Sequence, residues 1–577
     1  MIILGINAFH ADSSACIFKN GKLIAAAEEE RFKRIKHWAG FPIESIIFCL
    51  NESNISLDQV DYICIGRDPY AKIIFKLVYL LKNIFNIKFL LLSRLSNTKS
   101  LLNFKNQLLN ISNLDITTLE SKIKYIEHHR SHLASAFFAS PFNESAILSI
   151  DGSGDFTTTM LAVGKGNKIK VLSSINFPVS IGLLYTSFTQ YLGFFNYGDE
   201  YKVMGLAPYG EPIYYNEIMK IIFLNKNGLF NWDKTYFTSP NNIKLDYENN
   251  VPTVSILYTK KLLELLGPDR KPNEELEQRH KDIAASIQKV TETIVLHILN
   301  NIQKITGMKN ICIAGGVAQN SVLNGKIINK TQFKDIYIPS AGHDAGICMG
   351  AALYMYNHKL NFPRIEPIYS AYTGSHFTNE QIEAILIKRG IKYEKLEDHL
   401  LFQKIVDQLV EPGVVGWFSG PAEFGPRALG ARSILADPRN AKAKDLLNEK
   451  IKRRDSFRPF APSILIEYVE DFFENVDKVP FMEKVFPIKK SKRNIIPAVT
   501  HVDGTGRLQT VSKEYNTRYY SLIEAFRERT QIPILLNTSF NENEPIVDNP
   551  DQAIDCFLRT NMDMLVLENC LITRNQI

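Results

Sequence analysis

Residues 2–9 read IILGINAF, a run whose alternation predicts a strand. The polar loop HADSS follows at 10–14, CIFK at 16–19 resumes a strand, and Asn20-Gly21 supplies a two-residue hairpin turn before LIAAA at 23–27. The same plan recurs later. AILSID at 146–151 leads into GSGDFTT, then MLAVG, a turn at 164–167 and KIKVLSS at 168–174. Two copies of strand, small-polar loop, hairpin and strand predict two related lobes facing one another across a cleft.

That plan resembles actin-like and hexokinase-like ATPases, in which such loops hold phosphates. Residues 273–305 carry apolar positions at three and four spacing and predict a helix, and NICIAGG at 310–316 predicts a buried strand. Gly315-Gly316 then falls between that strand and a helix expected from about Gln319, where backbone amides can approach a nucleotide. A tight structural turn explains a Gly-Gly pair equally well. The stretch Asn357 to Thr378 has two prolines and no periodicity, so the domains are expected at 1–362 and 363–577. Beyond it, 413–418, 462–466, 532–536 and 563–567 read as strands of a mixed sheet.

With 577 residues, 45% apolar and 22% charged, the composition is that of an ordinary soluble chain with more than one domain. The seven cysteines include no CxxC pair, which argues against a disulfide framework or thiolate zinc site and for a reducing cytoplasm. MIILGINAFHADSS lacks the basic and apolar regions of a signal peptide. The net charge is only +6, but residues 69–114 hold seven Lys or Arg and no acid. Lys76, Lys82 and Lys88 interrupt its apolar core at 73–92, so no bilayer span is predicted. A helix packed on the body with snorkelling lysines stands against a membrane-surface or acidic-partner site.

In YIEHHRSHLASAFFAS, His128 and His132 lie four apart in an Ala-rich helical stretch, so their rings share a face about one turn apart and can hold one metal. Asp151 ends the following strand and Asp344 opens a small-residue turn, AGHDAGICMG; carboxylates there would complete the shell. A purely structural pair of histidines is the competing reading. The second constellation is GPAEFGPRALGARSILADPRN at 420–440 with KIKRRDSFRPFAPSIL at 450–465. Guanidinium forks beside glycine, proline and aromatics suit phosphates, although basic residues with aromatics also bind RNA. A third, LLNTSFNENEPIV at 535–547, could position a nucleotide or be an ordinary Asx turn.

The ordered set GINAFHADSSA, EEERFKRIKH (28–37), EHHRSH (127–132), YGDEYKVMGLAPYG (197–210), GGVAQN (315–320), GHDAG (342–346), FGPRALGARSILADPR (424–439), FRPFAPS (457–463) and LNTSFN (536–541) resembles the nodulation and antibiotic O-carbamoyltransferase family, nearly end to end. The resemblance implies an α/β protein: an actin/hexokinase-like two-lobed N-terminal domain and a YrdC-like C-terminal domain. It implies that carbamoyl phosphate and ATP with Mg2+ give carbamoyl adenylate in the second domain. A small-molecule hydroxyl then attacks the adenylate in the first, and AMP leaves.

It further implies metal ligation by His128, His132, Asp151 and Asp344, with Fe2+ or another divalent ion, and catalytic roles for His10 and Asp12. Contacts to nucleotide or intermediate fall on Lys36, Gly152, Gly182, Glu200, Lys202, Gly316 and Asn320 in the first domain. In the second they fall on Glu423, Arg427, Arg432, Lys452, Arg454, Arg458 and Asn537. Neither nucleic acid nor a transmembrane segment is expected, a homodimer is allowed, and the setting is secondary-metabolite or antibiotic biosynthesis in the cytoplasm. Two departures stand out: Asn541-Glu542-Asn543-Glu544-Pro545 lacks the family's usual Arg-Gly before Glu-Pro, and Ala431 replaces its usual Asn. Threonylcarbamoylation of tRNA, and a regulatory nucleotide- or RNA-binding protein without catalysis, are the rival functions.

Overall fold

The computed structural model describes residues 1–73, 75–76, 104–474 and 478–574. The snorkelling helix expected at 73–92 lies almost wholly outside the described residues. By internal contacts the chain divides into one unit of Met1–Asn320 and Lys326–Ile368 and a second of Ser321–Gly325 and Tyr369–Ile577.

The first unit contains the duplication. Strands β1 (Ile2–Asn7), β2 (Ser14–Lys19), β3 (Lys22–Glu28), β4 (Tyr62–Ile65) and β5 (Ile123–Tyr125) form a sheet of order β3-β2-β1-β4-β5. The second sheet uses β6 (Glu144–Gly154), β7 (Thr157–Lys165) and β8 (Lys168–Asn176). Two short hairpins intervene, β9 (Ile222–Leu224) with β10 (Phe230–Trp232) and β11 (Leu245–Glu248) with β12 (Val251–Val254). Then β13 (Asn310–Ala314) and β14 (Asp335–Tyr337) complete the order β14-β13-β6-β7-β8. Reading β1 as β6, the two sheets share one topology: the first strand pairs antiparallel with its hairpin partner and parallel with the next long-range strand. This repeated five-strand plan is the actin/hexokinase-like architecture.

The local chemistry follows the residues. The β2–β3 turn has Asn20 and Gly21 at φ of 51° and 80°, the left-handed pair that a type I′ hairpin requires. The helix expected at 273–305 begins at Gln278, where Glu277 forms a capping box with His280, and ends at Thr306 before left-handed Gly307. No full helix follows Gly315-Gly316; a short 3-10 turn, Gly316–Gln319, and the four-residue helix Ser321–Asn324 stand there instead. The helices His128–Phe137 and Ile347–Leu353 touch through Gly350, where a Cβ would stand 1.8 Å from the Ser131 carbonyl oxygen. Any larger residue there would drive the helices apart.

The second unit is built on one mixed sheet. Its strands are β15 (Glu394–Lys395), β16 (Val415–Phe418), β17 (Arg432–Ala436), β18 (Ala461–Leu465), β19 (Lys484–Pro487), β20 (Thr505–Val511), β21 (Ile534–Ser539), β22 (Met564–Leu567) and β23 (Cys570–Thr573). They lie in the order β15-β23-β22-β16-β17-β21-β18-β20-β19. Side chains alternate between two cores: Trp417, Leu435, Leu535 and Val566 point into one, and Phe418, Ile434, Leu536 and Leu565 into the other. Helices cover both faces, which is why these strands read as near-continuous apolar runs. The α/β class expected for this half is met. Strands β17 and β20, by contrast, carry Arg432, Ser433, Arg507, Gln509 and Thr510, and these polar groups break their apolar pattern. No described helix is long and apolar enough to cross a membrane.

Leu565 is fully buried between helix and sheet. Leu565→Ala should cost the second unit about 2–5 kcal/mol, read as a lowered urea midpoint at constant m-value.

Candidate active site

Helix His128–Phe137 starts at Glu127, whose carboxylate accepts from the Arg130 amide, so His128 and His132 occupy successive turns of one face. Both rings are buried. Strand β6 brings Asp151 beneath them and the turn Asp344–Gly346 brings Asp344 from the opposite side. His128 Nε2 lies 3.0 Å from Asp151 Oδ2 and 3.7 Å from Asp344 Oδ1; His132 Nε2 lies 3.6 and 3.3 Å from the same two atoms. All four ligand atoms fall within 4.8 Å of one another.

The donor set fits a divalent transition metal. Both ring nitrogens of His132 and Asp344 Oδ1 are buried without hydrogen-bond partners among the described residues, a state that costs free energy unless something else satisfies it. Burial opposes charge throughout the cluster. The histidines overcome it to hold Asp151 well below the carboxylate range, and the two aspartates overcome it to push His132 to about 9. Burial wins at His128, whose pKa falls. A Cβ on Gly154 would stand 2.1 Å from the His128 ring, so only glycine admits the imidazole there. The intervening His129 is different: its nitrogens meet Ser149 Oγ at 2.8 Å and the Thr157 carbonyl at 2.9 Å, and it holds the helix to the sheet.

His10 and Asp12 reach this cluster from the β1–β2 loop. His10 Nδ1 pairs with Asp344 Oδ2, its Nε2 is 3.4 Å from the Ser153 carbonyl, and its ring centroid is 5.0 Å from that of His128. Burial lowers the His10 pKa, but the Asp344 carboxylate outweighs it and the net direction is up. Asp12 instead binds His37, Oδ1 to Nδ1 at 2.7 Å. Burial favours the neutral form of both. The ion pair prevails, lowering Asp12 and raising His37 to about 9.

The glycines gather around Asp151. The Gly316 amide donates to Asp151 Oδ1 at 3.0 Å, Gly152 continues β6, and Gly182 packs on the backbone of Gly152. Glu200 accepts from Thr186 Oγ1 at 2.6 Å, and Lys202 pairs with Asp199 at 2.9 Å. Lys36 is exposed, and Asn320 exchanges hydrogen bonds with Gln288.

In the second unit the basic residues divide into two kinds. Arg432 is fully buried, donates to the Gly420, Ala431 and Ser375 carbonyls and stacks 3.5 Å over Phe418. Lys452, equally buried, donates to Ser539 and Asn541 and so shapes the turn after β21. The charges of Arg427, Arg454 and Arg458 act on Arg507: burial and then these three charges push its pKa well below the guanidinium range, while Arg454 also donates from Nε to Asn448 Oδ1 at 2.8 Å. The nearby His501 falls to about 4 through burial, with Arg507 and Lys444 acting in the same direction. Such an array of like charge suits a bound polyanion. Glu423 Oε1 accepts the Leu429, Ala431 and Arg432 amides, and the Asn537 amide donates to the Ala428 carbonyl. Glu423 Oε2 and Asn537 Oδ1, on either side of this loop, are buried without partners among the described residues.

Sequence reading missed Arg507 and His37. Arg507 sits alone in TGRLQTV with no basic neighbour, and nothing local marks it. His37 closes EEERFKRIKH, where the charge run itself was the only signal.

A duplicated α/β unit with a buried His2Asp2 cluster, followed by a second α/β unit that gathers arginines, is the frame of a group-transfer enzyme. The family models "Carbamoyltransferase N-terminus" and "Carbamoyltransferase C-terminus" match residues 2–353 and 406–574, and the chain belongs to the carbamoyltransferase family. It is 42% identical to the Synechocystis protein sll1178, over 99% of this chain and 96% of that one. To nodulation protein NolNO of Sinorhizobium fredii it is 41% identical, over 98% and 80%. To NolO of Bradyrhizobium diazoefficiens it is 41% identical, over 78% and 79%. Among solved structures, HypF of T. kodakarensis aligns with 61% of this chain and 47% of its own at 13% identity and a TM-score of 0.30.

Metal analysis should separate His128 from His129. His128→Ala and Asp344→Asn lose bound metal, and Gly154→Ala weakens it by displacing the His128 ring. His129→Ala keeps the metal but lowers the unfolding midpoint, since it orphans a buried hydroxyl and carbonyl at about 1–3 kcal/mol.

The His37–Asp12 pair predicts a pH effect. The folded His37 value of about 9 exceeds the ordinary 6.5, so the stability it contributes is complete below 6.5 and lost as pH rises through 9. The unfolding midpoint of the parent should therefore fall between pH 6.5 and 9 more steeply than that of His37→Asn.

Proposed function

We propose that the protein is an ATP-dependent O-carbamoyltransferase whose two units divide the reaction. Carbamoyl phosphate and ATP with Mg2+ bind the second unit, where Arg427, Arg454, Arg458 and Arg507 neutralise the phosphates. Carbamoyl adenylate forms there, with loss of phosphate and pyrophosphate, and passes to the first unit. There a hydroxyl of a small-molecule natural product or sugar attacks the carbamoyl carbon and AMP leaves.

The buried cluster of His128, His132, Asp151 and Asp344 carries this reading, because its two imidazoles and two carboxylates, with His132 and Asp344 Oδ1 unsatisfied, match the donor set of an iron-like divalent ion. When bound, such an ion supplies Lewis-acid polarisation of the carbamoyl carbonyl. His10 fixes the second oxygen of Asp344, as the outer partners of metal ligands commonly do. Glycines at 152, 182 and 316 leave the floor beside Asp151 low enough for a nucleotide backbone to approach. Arg432, Lys452 and Glu423 act by holding the loops that present the arginines. The family resemblance, with the nodulation relatives, supports a small-molecule hydroxyl as acceptor.

Radiolabelled pyrophosphate should exchange into ATP only when carbamoyl phosphate is present; absence of exchange sinks the proposal. Arg454→Ala and Arg458→Ala should lose exchange by about 100-fold or more, as expected for removal of charge-assisted phosphate contacts, yet transfer from supplied carbamoyl adenylate. Mass spectrometry for a carbamoyl adduct across amino sugars, chitin oligosaccharides, polyketides and alkaloids identifies the acceptor.

A further inference from the structure

Loops 9–13 and 37–40 are laced together beside the metal cluster. The Phe9 amide donates to the Gly40 carbonyl (3.1 Å), the Ser13 amide to the Trp38 carbonyl (2.8 Å), and Ser13 Oγ to the Gly40 carbonyl (2.7 Å). Asn7 Nδ2 grips the Ala11 and Asp12 carbonyls from within. From the other lobe, the tip of the β11–β12 hairpin accepts the Ala39 amide on the Asn250 carbonyl at 2.8 Å. Phe9, Asp12 and His37 all hold left-handed backbones, with φ of 55°, 55° and 56°. Non-glycine residues adopt this conformation at a cost that surrounding structure must sustain, and such strain gathers at functional sites.

This lacing fixes one side-chain pair. The His37 ring stands edge-on to Tyr197 and against Gly198, where a Cβ would come within 2.3 Å of Nε2, and its backbone amide donates to Glu30 Oε2. Its Nδ1 therefore has one direction left, to Asp12 Oδ1. Asp12 Oδ2 is 3.9 Å from His343 Nε2, beyond hydrogen-bond reach, and makes no hydrogen bond among the described residues. His343 directly precedes the metal-cluster residue Asp344, whose charge reaches Asp12, so this open oxygen lies within electrostatic reach of the cluster.

We propose that His37 is a positioning residue for the transfer step and that the Asp12 carboxylate it holds is the base that takes the acceptor's proton. This rests on the transfer reaction proposed above. The acceptor oxygen forms its bond to the carbamoyl carbon, its proton passes to Asp12 Oδ2, and the bond from that carbon to the adenylate oxygen breaks, its electron pair leaving with AMP. His37 keeps Asp12 ionised and aimed, while His10 remains committed to Asp344.

The test uses the full chain with ATP and carbamoyl phosphate and reads AMP release above the decay of free carbamoyl adenylate. Two nucleophiles are compared: water, which must lose a proton, and hydroxylamine, which attacks as a neutral amine without a base. Asp12→Asn and His37→Ala should slow the water reaction by about 100-fold. Both should keep pyrophosphate exchange, bound metal and the hydroxylamine reaction within about twofold of the parent. His37→Asn, whose amide can donate where Nδ1 did, should recover part of the water rate. Equal loss with both nucleophiles would make the pair a structural staple and overturn the inference, as would variants that use water at the parental rate. A parent protein that exchanges pyrophosphate but releases AMP with neither nucleophile would sink the transfer reading itself, and this inference with it.

Discussion

Two carboxylates, Asp151 and Asp344, are buried within a few ångströms of each other, and the first unit is arranged around that repulsion. Each would be driven toward its neutral form by burial and by the other's charge. Three imidazoles surround them: His128 and His132 from one helix and His10 from the first loop. The donor set could hold a divalent ion, which would supply positive charge where His132 and Asp344 leave atoms unsatisfied. The close helix crossing at Gly350 and the bare α-carbon of Gly154 are the packing conditions for this arrangement.

The duplicated sheet explains how so small a cluster draws on distant parts of the chain. In one copy the loop after the first strand supplies His10 and Asp12; in the other the C-terminal end of the first strand itself, β6, supplies Asp151, Gly152 and Ser153. The parallel neighbour of β6, strand β13, then brings the Gly316 amide to Asp151. The cluster residues meet from a helix, the end of β6 and the turn at Asp344, so no one segment holds the site.

The second unit solves a different electrostatic problem. It buries cations and satisfies some with carbonyls, as at Arg432 and Lys452, while it crowds others together, as around Arg507. Of the cationic residues expected to bind phosphate, the first two are spent on architecture. Their neighbours in the same motif are the ones whose charges remain concentrated. A motif match cannot distinguish these cases, because both kinds of arginine sit in the same glycine- and proline-rich stretches.

Much of this was legible in the chain. The Asn-Gly hairpin, the repeated strand and loop plan, and the i, i+4 histidines are set by local stereochemistry and by helical period, so IILGINAFHADSS, AILSIDGSG and EHHRSH carried them. What the sequence could not contain was which polar groups end up as neighbours. Strands β17 and β20 were hidden because polar residues interrupt their apolar pattern: Arg432 and Gln509 find partners as far away as Ser375 and Leu429, and Arg507 is buried among other arginines. The Asp12–His37 pair spans 25 positions and the His10–Asp344 pair more than 300. Local interactions decide backbone conformation, whereas the pairing of buried charges depends on desolvation, which exists only once the fold has closed around them.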